Sequence, residues 1–297
     1  MATKTKKRKI LPERQEQQKE QWRDMSVCKA DSMIQKGRHQ LSARETKAVA
    51  FAISKIKPTD TVFEEYTFDI KDFYKICGIQ TDSYNEVKAI LNSLADRGWD
   101  IPLKNDPNVI SRVRWFSTLR TNNRGGKVTI KFHEDMMPYL LEVAGNEFYT
   151  TFCLRYILPM NSQYGMRLYE ILKSYQKNNM SWFFEVNRLK WNLDAENYKN
   201  FADFKRFALD PAVNDINDYT DLNVAYKTER GSGRGRPIER VIFYMYEKKP
   251  KALREALRAG DTKLDGELDP MDVIKVMQED EEDQKIKAFH EAQRRSE

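Results

Sequence analysis

The stretch YKNFADFKRFALDPAVNDINDYTDLNVAYKTERGSGRGRPIERVIFYMYEK, residues 198–248, decides the fold. Its first part, 198–220, repeats apolar residues at helical spacing: Phe201, Phe204, Ala208, Ala212, Val213 and Ile216 form one inward face. Its second part, 222–248, is two alternating strands around Gly231-Ser232-Gly233-Arg234-Gly235-Arg236, a hairpin signal. Pro211 interrupts the helical stretch. Either it removes a backbone bond and kinks the helix, or Asp210 caps a second short helix with Pro211 at its first position.

Three elements precede this unit: a helix over 162–176 (SQYGMRLYEILKSYQ), a strand over 182–186 (WFFEV) and a short helix over 187–193 (NRLKWNL). Helix, strand, helix, helix and hairpin in that order make a winged helix, a helix-turn-helix followed by a β wing. The same order occurs about 120 residues earlier. LSARETKAVAFAISKIKP (41–58) reads as a helix with a capping box, Ser42 with Glu45 three residues on. EYTFDI (65–70) reads as an edge strand and DFYKICGI (72–79) as a short helix stopped by Gly78. Residues 81–99 read as a helix capped by Asp82 or Ser83 and stopped by Gly98, with Tyr84, Val87, Ile90, Leu91 and Leu94 inward. Residues 110–132 give two β-rich runs around Asn122–Gly126, and 136–145 a linking helix. The expected class is therefore α+β: two tandem winged-helix domains with a flexible basic N-terminal arm and an acidic helical C-terminal tail. The boundaries are 1–24 for the arm, disordered when alone, 25–147 for domain 1 and 148–250 for domain 2. Residues 251–297 form the helical or disordered tail.

A chain of 297 residues suits two domains. Its apolar share of 40% and aromatic share of 11% suffice for two small cores, which argues against whole-chain disorder. No apolar run reaches membrane-spanning length, and residues 1–21 lack the apolar core of a secretory signal, so a cytoplasmic protein is expected. Three cysteines, Cys28, Cys77 and Cys153, with no close pair, argue against a disulfide framework or a zinc knuckle. The net charge of +6 is uneven, with a basic body and an acidic tail that includes Glu279–Asp283. That distribution fits a polyanionic partner, most plausibly nucleic acid.

Catalytic constellations are missing from the sequence. His39, His133 and His290 are isolated, no phosphate-binding loop is complete, and Asp261, Asp265, Gly266 and Asp269 depart from calcium-loop spacing. No enzyme activity, cofactor or metal is expected.

Double-stranded DNA is the expected partner. In domain 2, Lys199, Asn200, Lys205 and Arg206 lie on the outer side of the 198–220 helix, whose first half a recognition helix presents to base edges. Lys227, Arg230, Arg234 and Arg236 populate the wing, where contacts position the protein without reading sequence. In domain 1 the candidates are Asn85, Lys88 and Asn92 on the 81–99 helix and Arg112, Arg114, Arg120, Arg124 and Lys127 on the β-rich segment. Between 107 and 132 there are six basic residues and no acidic one, a one-sign pattern that favours phosphate contact over edge protection. If about eight phosphates are neutralised, log affinity falls against log salt with a slope near −7.

The chain resembles the theta-type plasmid replication initiators, the Rep family with tandem winged helices. The resemblance is carried by Leu41–Glu45, Phe51–Ser54, Asp72–Tyr74, Tyr164–Lys173, Phe204–Arg206 and Leu209–Asn217, and covers residues 25–248. It implies an iteron-binding initiator whose two domains share one directly repeated origin sequence, with domain 2 giving most of the readout through Lys205 and Arg206. It also implies origin opening, recruitment of the host initiator and replicative helicase, and a homodimer in equilibrium with monomer that serves copy control. A winged-helix transcriptional repressor without a replication role is the alternative, since both need the same groove-reading parts. A nicking enzyme is the third, and more distant, reading.

Overall fold

The computed structural model describes residues 25–248, except 58, 79–83, 104–105, 123–125, 142–147, 177–179 and 234. The expected arm (1–24), the tail (251–297), the caps Asp82 and Ser83, and the wing arginines Arg124 and Arg234 lie outside the described residues.

The first winged helix begins with α2 (Ala43–Ile53), after a short α1 (Asp31–Lys36). Both halves of the Ser42 capping box form: the Ser42 hydroxyl accepts from the Glu45 N–H, and the Glu45 carboxylate accepts from the Ser42 N–H at 2.7 Å. The helix ends at Ile53, short of the expected 58. Strand β3 (Tyr66–Asp69), α3 (Ile70–Cys77) and α4 (Tyr84–Asp96) follow in the predicted order. Val87, Leu91 and Leu94 of α4 are buried, as their spacing predicts.

Gly98 opens a strand rather than stopping a helix. It begins β4 (Gly98–Leu103), which pairs with β5 (Asp106–Arg114) and with a two-residue strand β2 (Arg38–His39). A Cβ at Gly98 would sit 2.5 Å from the Val113 carbonyl oxygen, so close strand approach explains the glycine. The expected single hairpin over 110–132 is thus two structures. Residues 110–114 belong to the β4–β5 ribbon, and the chain breaks at the buried Trp115. Only β6 (Phe116–Asn122) and β7 (Lys127–Phe132) form the wing. Apolar alternation marks strands but does not say which strand pairs with which, and this caused the error.

The second unit comprises α6 (Gln163–Gln176), β9 (Ser181–Glu185), α7 (Val186–Asn192), a long helical stretch over 201–219, β10 (Leu222–Arg230) and β11 (Ile238–Glu247). Its sheet has the order β10-β11-β9, and that of the first unit β6-β7-β3. In both, the strand after the first helix pairs antiparallel with the last strand, which is central and also pairs with its hairpin partner. The two halves therefore repeat a topology as well as an element order.

Between them, α5 (Met137–Leu140) is a single turn, and residues 142–145 of the expected linking helix lie outside the described residues. Strand β8 (Tyr149–Cys153) pairs antiparallel with β1 (Ser26–Ala30), so a two-stranded sheet spans the expected boundary at 147/148. One continuous apolar core runs from Val27 to Met245. Among the described residues, no helix is long and apolar enough to cross a membrane.

Candidate nucleic-acid interface

The long helix of the second unit, expected to read DNA, is continuous but not regular. It runs as α8 (Phe201–Phe204), a π-helical turn (Lys205–Leu209) and α9 (Asp210–Tyr219). Pro211 has no N–H for the carbonyl four residues back, and its ring crowds that carbonyl. The wider turn just before it absorbs the mismatch without breaking the helix. Asp210 keeps helical backbone angles (φ −60°, ψ −47°) and does not cap. Buried Phe204 precedes the π turn and buried Ala208 and Leu209 close it, which leaves Lys205, Arg206 and Phe207 exposed in succession.

The expected readers on this helix differ in availability. Asn200 is the N-cap: its carboxamide oxygen accepts from the Asp203 N–H at 2.7 Å, and its NH2 group donates to the Asp203 carboxylate at 2.7 Å. Lys205 donates to both Asp210 oxygens, at 2.6 and 2.8 Å, and that carboxylate raises its pKa. The Tyr226 hydroxyl donates to the same carboxylate, and burial first, then Asp210, raise its pKa to about 12. Arg206 is exposed, with its guanidinium 5.1 Å from the Phe207 ring centroid, and makes no ion pair among the described residues. Lys199 is exposed just ahead of the cap.

The second wing is anchored from within. Gly231 is buried at the strand end, beside the carboxylate of exposed Glu239. Arg230 is exposed and donates to the Arg236 carbonyl at 3.1 Å. Arg236 is exposed, with φ at 44°. Lys227 is half-buried, its ammonium 5.4 Å from the Tyr244 ring centroid.

In the first unit, Asn85, Lys88 and Asn92 share the exposed side of α4. Three of the six basic residues of 107–132 meet acids from outside that stretch. Arg112 forks onto Asp100 at 2.6 and 2.9 Å, Arg120 reaches Glu65 at 2.8 Å, and Lys127 reaches Asp69 at 2.8 Å. The acids sit on β4, beside β3 and on β3, so a count within 107–132 misses them. Arg112 and Arg114 project from β5 of the ribbon, apart from the wing that carries Arg120 and Lys127. These surface pairs are worth about 0–1 kcal/mol each, so phosphate competes with them easily.

Sequence reasoning passed over Phe207, which is half-exposed and stacks on Tyr198 with ring centroids 6.2 Å apart and 18° between planes. Its helical phase, between inward Phe204 and Ala208, was the available signal. Among the described residues no three His, Cys, Asp or Glu side chains converge on a metal-sized site.

The family model described as "Initiator Replication protein, WH1" matches residues 26–173, and that described as "Initiator Rep protein, WH2" matches 185–245. The chain belongs to this family of plasmid replication initiators. Among solved structures, the fold is similar to that of the Pi initiator protein in complex with iteron DNA. The TM-score is 0.61 at 17% identity, over 77% of this chain and 99% of that one. A weaker likeness, TM-score 0.40 at 12% identity over 74% of this chain and 82% of the other, is to domains 2 and 3 of RctB. The family boundary places α6 with the first model, in keeping with the β1–β8 sheet that joins the two halves.

Proposed function

We propose that this initiator binds directly repeated duplex sequences at its plasmid origin, one monomer per repeat, through both winged helices. The observation that carries the reading is the repeated topology: each half supplies a helix with an exposed polar face and an adjacent β wing. The family match to initiator domains supports initiation and lends nothing to a purely repressive role. The Pi initiator complex, whose fold this chain shares, supports iterons as the ligand.

Within this function, domain 2 reads bases through Arg206 and the first half of the recognition helix, while Lys227, Arg230, Arg234 and Arg236 hold phosphates. Domain 1 adds contacts through Asn85, Lys88 and Asn92 of α4, with Arg112, Arg114, Arg120, Arg124 and Lys127 giving general electrostatic attraction. Bound copies help open the origin and recruit the host initiator and replicative helicase, and a homodimer in equilibrium with monomer limits initiation. The protein uses binding energy alone, without catalytic chemistry, in the cytoplasm on its plasmid. Footprinting on the DNA flanking the gene, followed by replication of a plasmid carrying only this gene and that DNA, tests the reading. Protected direct repeats and a replicating plasmid are expected; a specific footprint without replication leaves repression as the function.

A further inference from the structure

Phe207 is an unusual residue to expose at this position. It is 50% exposed, on the recognition helix, directly after Lys205 and Arg206. Its helical phase, between buried Phe204 and buried Ala208, keeps it outward within the π turn. It is also held still. Its ring stacks on Tyr198, whose ring packs edge-on against Tyr164 at 6.3 Å, and the Tyr198 carbonyl accepts from Lys190 at 2.7 Å. With the Arg206 guanidinium 5.1 Å from its ring centroid, this exposed aromatic faces the same side as that cation. In the major groove, the one apolar group that base edges present is the thymine 5-methyl, and aromatic or aliphatic contact reads it.

We infer that Phe207 is a specificity-determining residue that packs on the 5-methyl group of a thymine in the repeat, beside the base contacted by Arg206. The inference rests on the proposed function, because it needs this helix in a major groove. It gives the helix two readouts of different chemistry: a charged fork for a hydrogen-bonding edge and an apolar plate for a methyl.

The test is methyl deletion in the DNA combined with ring deletion in the protein. The footprinted origin fragment is prepared with uracil replacing thymine, which removes 5-methyl groups without changing base pairing. Single thymine-to-uracil duplexes then scan the protected repeat. The full-length protein is expected to bind the matching single-uracil duplex about fourfold more weakly, the size of one buried methyl group. Phe207→Ala is expected to bind thymine and uracil duplexes equally, and Phe207→Leu to keep part of the discrimination. Unchanged affinity for random duplex shows that the variants are folded, because phosphate contact dominates there. Specific binding by the wild type that is indifferent to uracil at every position overturns the inference, as does a uracil penalty that Phe207→Ala retains in full. Absence of any sequence-specific complex instead overturns the proposed function itself.

Discussion

Glu170→Gln removes one negative charge from a fully buried site. Lys29 on β1 donates to Glu170 on α6 at 2.5 Å, and Arg167, one turn earlier on α6, approaches the second Glu170 oxygen at 3.4 Å. The three side chains are 3%, 0% and 3% exposed. Arg167 also donates to the carbonyls of Ile34, Gly37 and Asn192, and both cations lie over the Trp99 ring. Two cations thus share one anion. Burial lowers the pKa of Lys29 despite the attraction of Glu170, and burial lowers that of Arg167 to about 10. In Glu170→Gln, two buried cations face no anion, and truncating one partner of a buried pair costs about 3–5 kcal/mol. A second route gives a similar ceiling. Lys29 can shed its proton, which at pH 7 costs at most about 5 kcal/mol relative to the ordinary lysine value of 10.5, at about 1.36 kcal/mol per unit. Lys29→Met instead leaves Glu170 paired with Arg167, so no buried charge stands uncompensated, and it is expected to cost less than Glu170→Gln, about 1–3 kcal/mol for the lost hydrogen bond and packing. Urea unfolding at pH 7 measures both variants. The Glu170→Gln deficit also shrinks as pH rises, since a Lys with a depressed folded pKa gains stability between that pKa and its unfolded one. A Lys29→Met loss equal to or larger than that of Glu170→Gln, or a Glu170→Gln deficit that is flat up to pH 10, would refute the charge counting.

Three further outcomes follow from named contacts. His39 is buried edge-on against Trp99 at 4.6 Å with its Nδ1 unpartnered, and burial, then Arg167 and Lys29, hold its pKa well below 6.5. The unfolded chain therefore takes up a proton below pH 6.5 that the folded one refuses. Stability is expected to fall on acidification by up to about 1.4 kcal/mol per pH unit from this residue, and the difference between wild type and His39→Gln isolates that part in denaturant titrations. Ser42→Ala removes one half of the capping box and is expected to cost about 1 kcal/mol by thermal or urea unfolding. Arg206→Ala is expected to weaken binding to the footprinted repeat by roughly 1–3 kcal/mol with little effect on random duplex, whereas Arg236→Ala weakens both alike and lowers the salt slope by about 1, as fluorescence anisotropy across a salt series shows.

Elements with strong local signals were legible in the sequence. The capping box at Ser42, the alternation of 222–248 and the apolar stripe of α4 each depend on neighbours within one element, and each stands where its spacing puts it. Elements defined by a distant partner were not. The strands at 26–30 and 149–153 exist because they pair with each other, and β2 because it pairs with β4. The site divides the same way. Exposure of Lys205 and Arg206 follows from helical phase, but the Asp210 carboxylate beside Lys205 depends on the π turn around Pro211. The acids facing Arg112, Arg120 and Lys127 arrive across strands. Charge counted along a chain is not charge presented by a surface.

One of the segments that carry the family resemblance, Tyr164–Lys173, is almost wholly buried, and its polar members make contacts to other elements. Arg167 closes the end of α1 through the Ile34 and Gly37 carbonyls, Tyr169 donates to Asp221 at 2.8 Å, Glu170 receives Lys29, and Lys173 bridges Asp221 and Glu247 at 2.7 and 3.0 Å. These contacts tie α6 to α1, β1, β11 and the loop before β10. The motif therefore specifies from buried positions how the second unit is assembled and joined to β1, whereas Lys205 and Arg206, proposed for DNA, are exposed. That separation explains why architecture can be read from such a motif while the repeat sequence cannot. On the proposed reading, base choice rests on a few exposed side chains near Arg206 and Phe207, whose replacement is expected to leave the buried frame intact. The same separation makes specificity open to change by surface substitution, so variants at 206 and 207 are expected to alter which duplex is bound while leaving unfolding midpoints within about 0.5 kcal/mol of wild type.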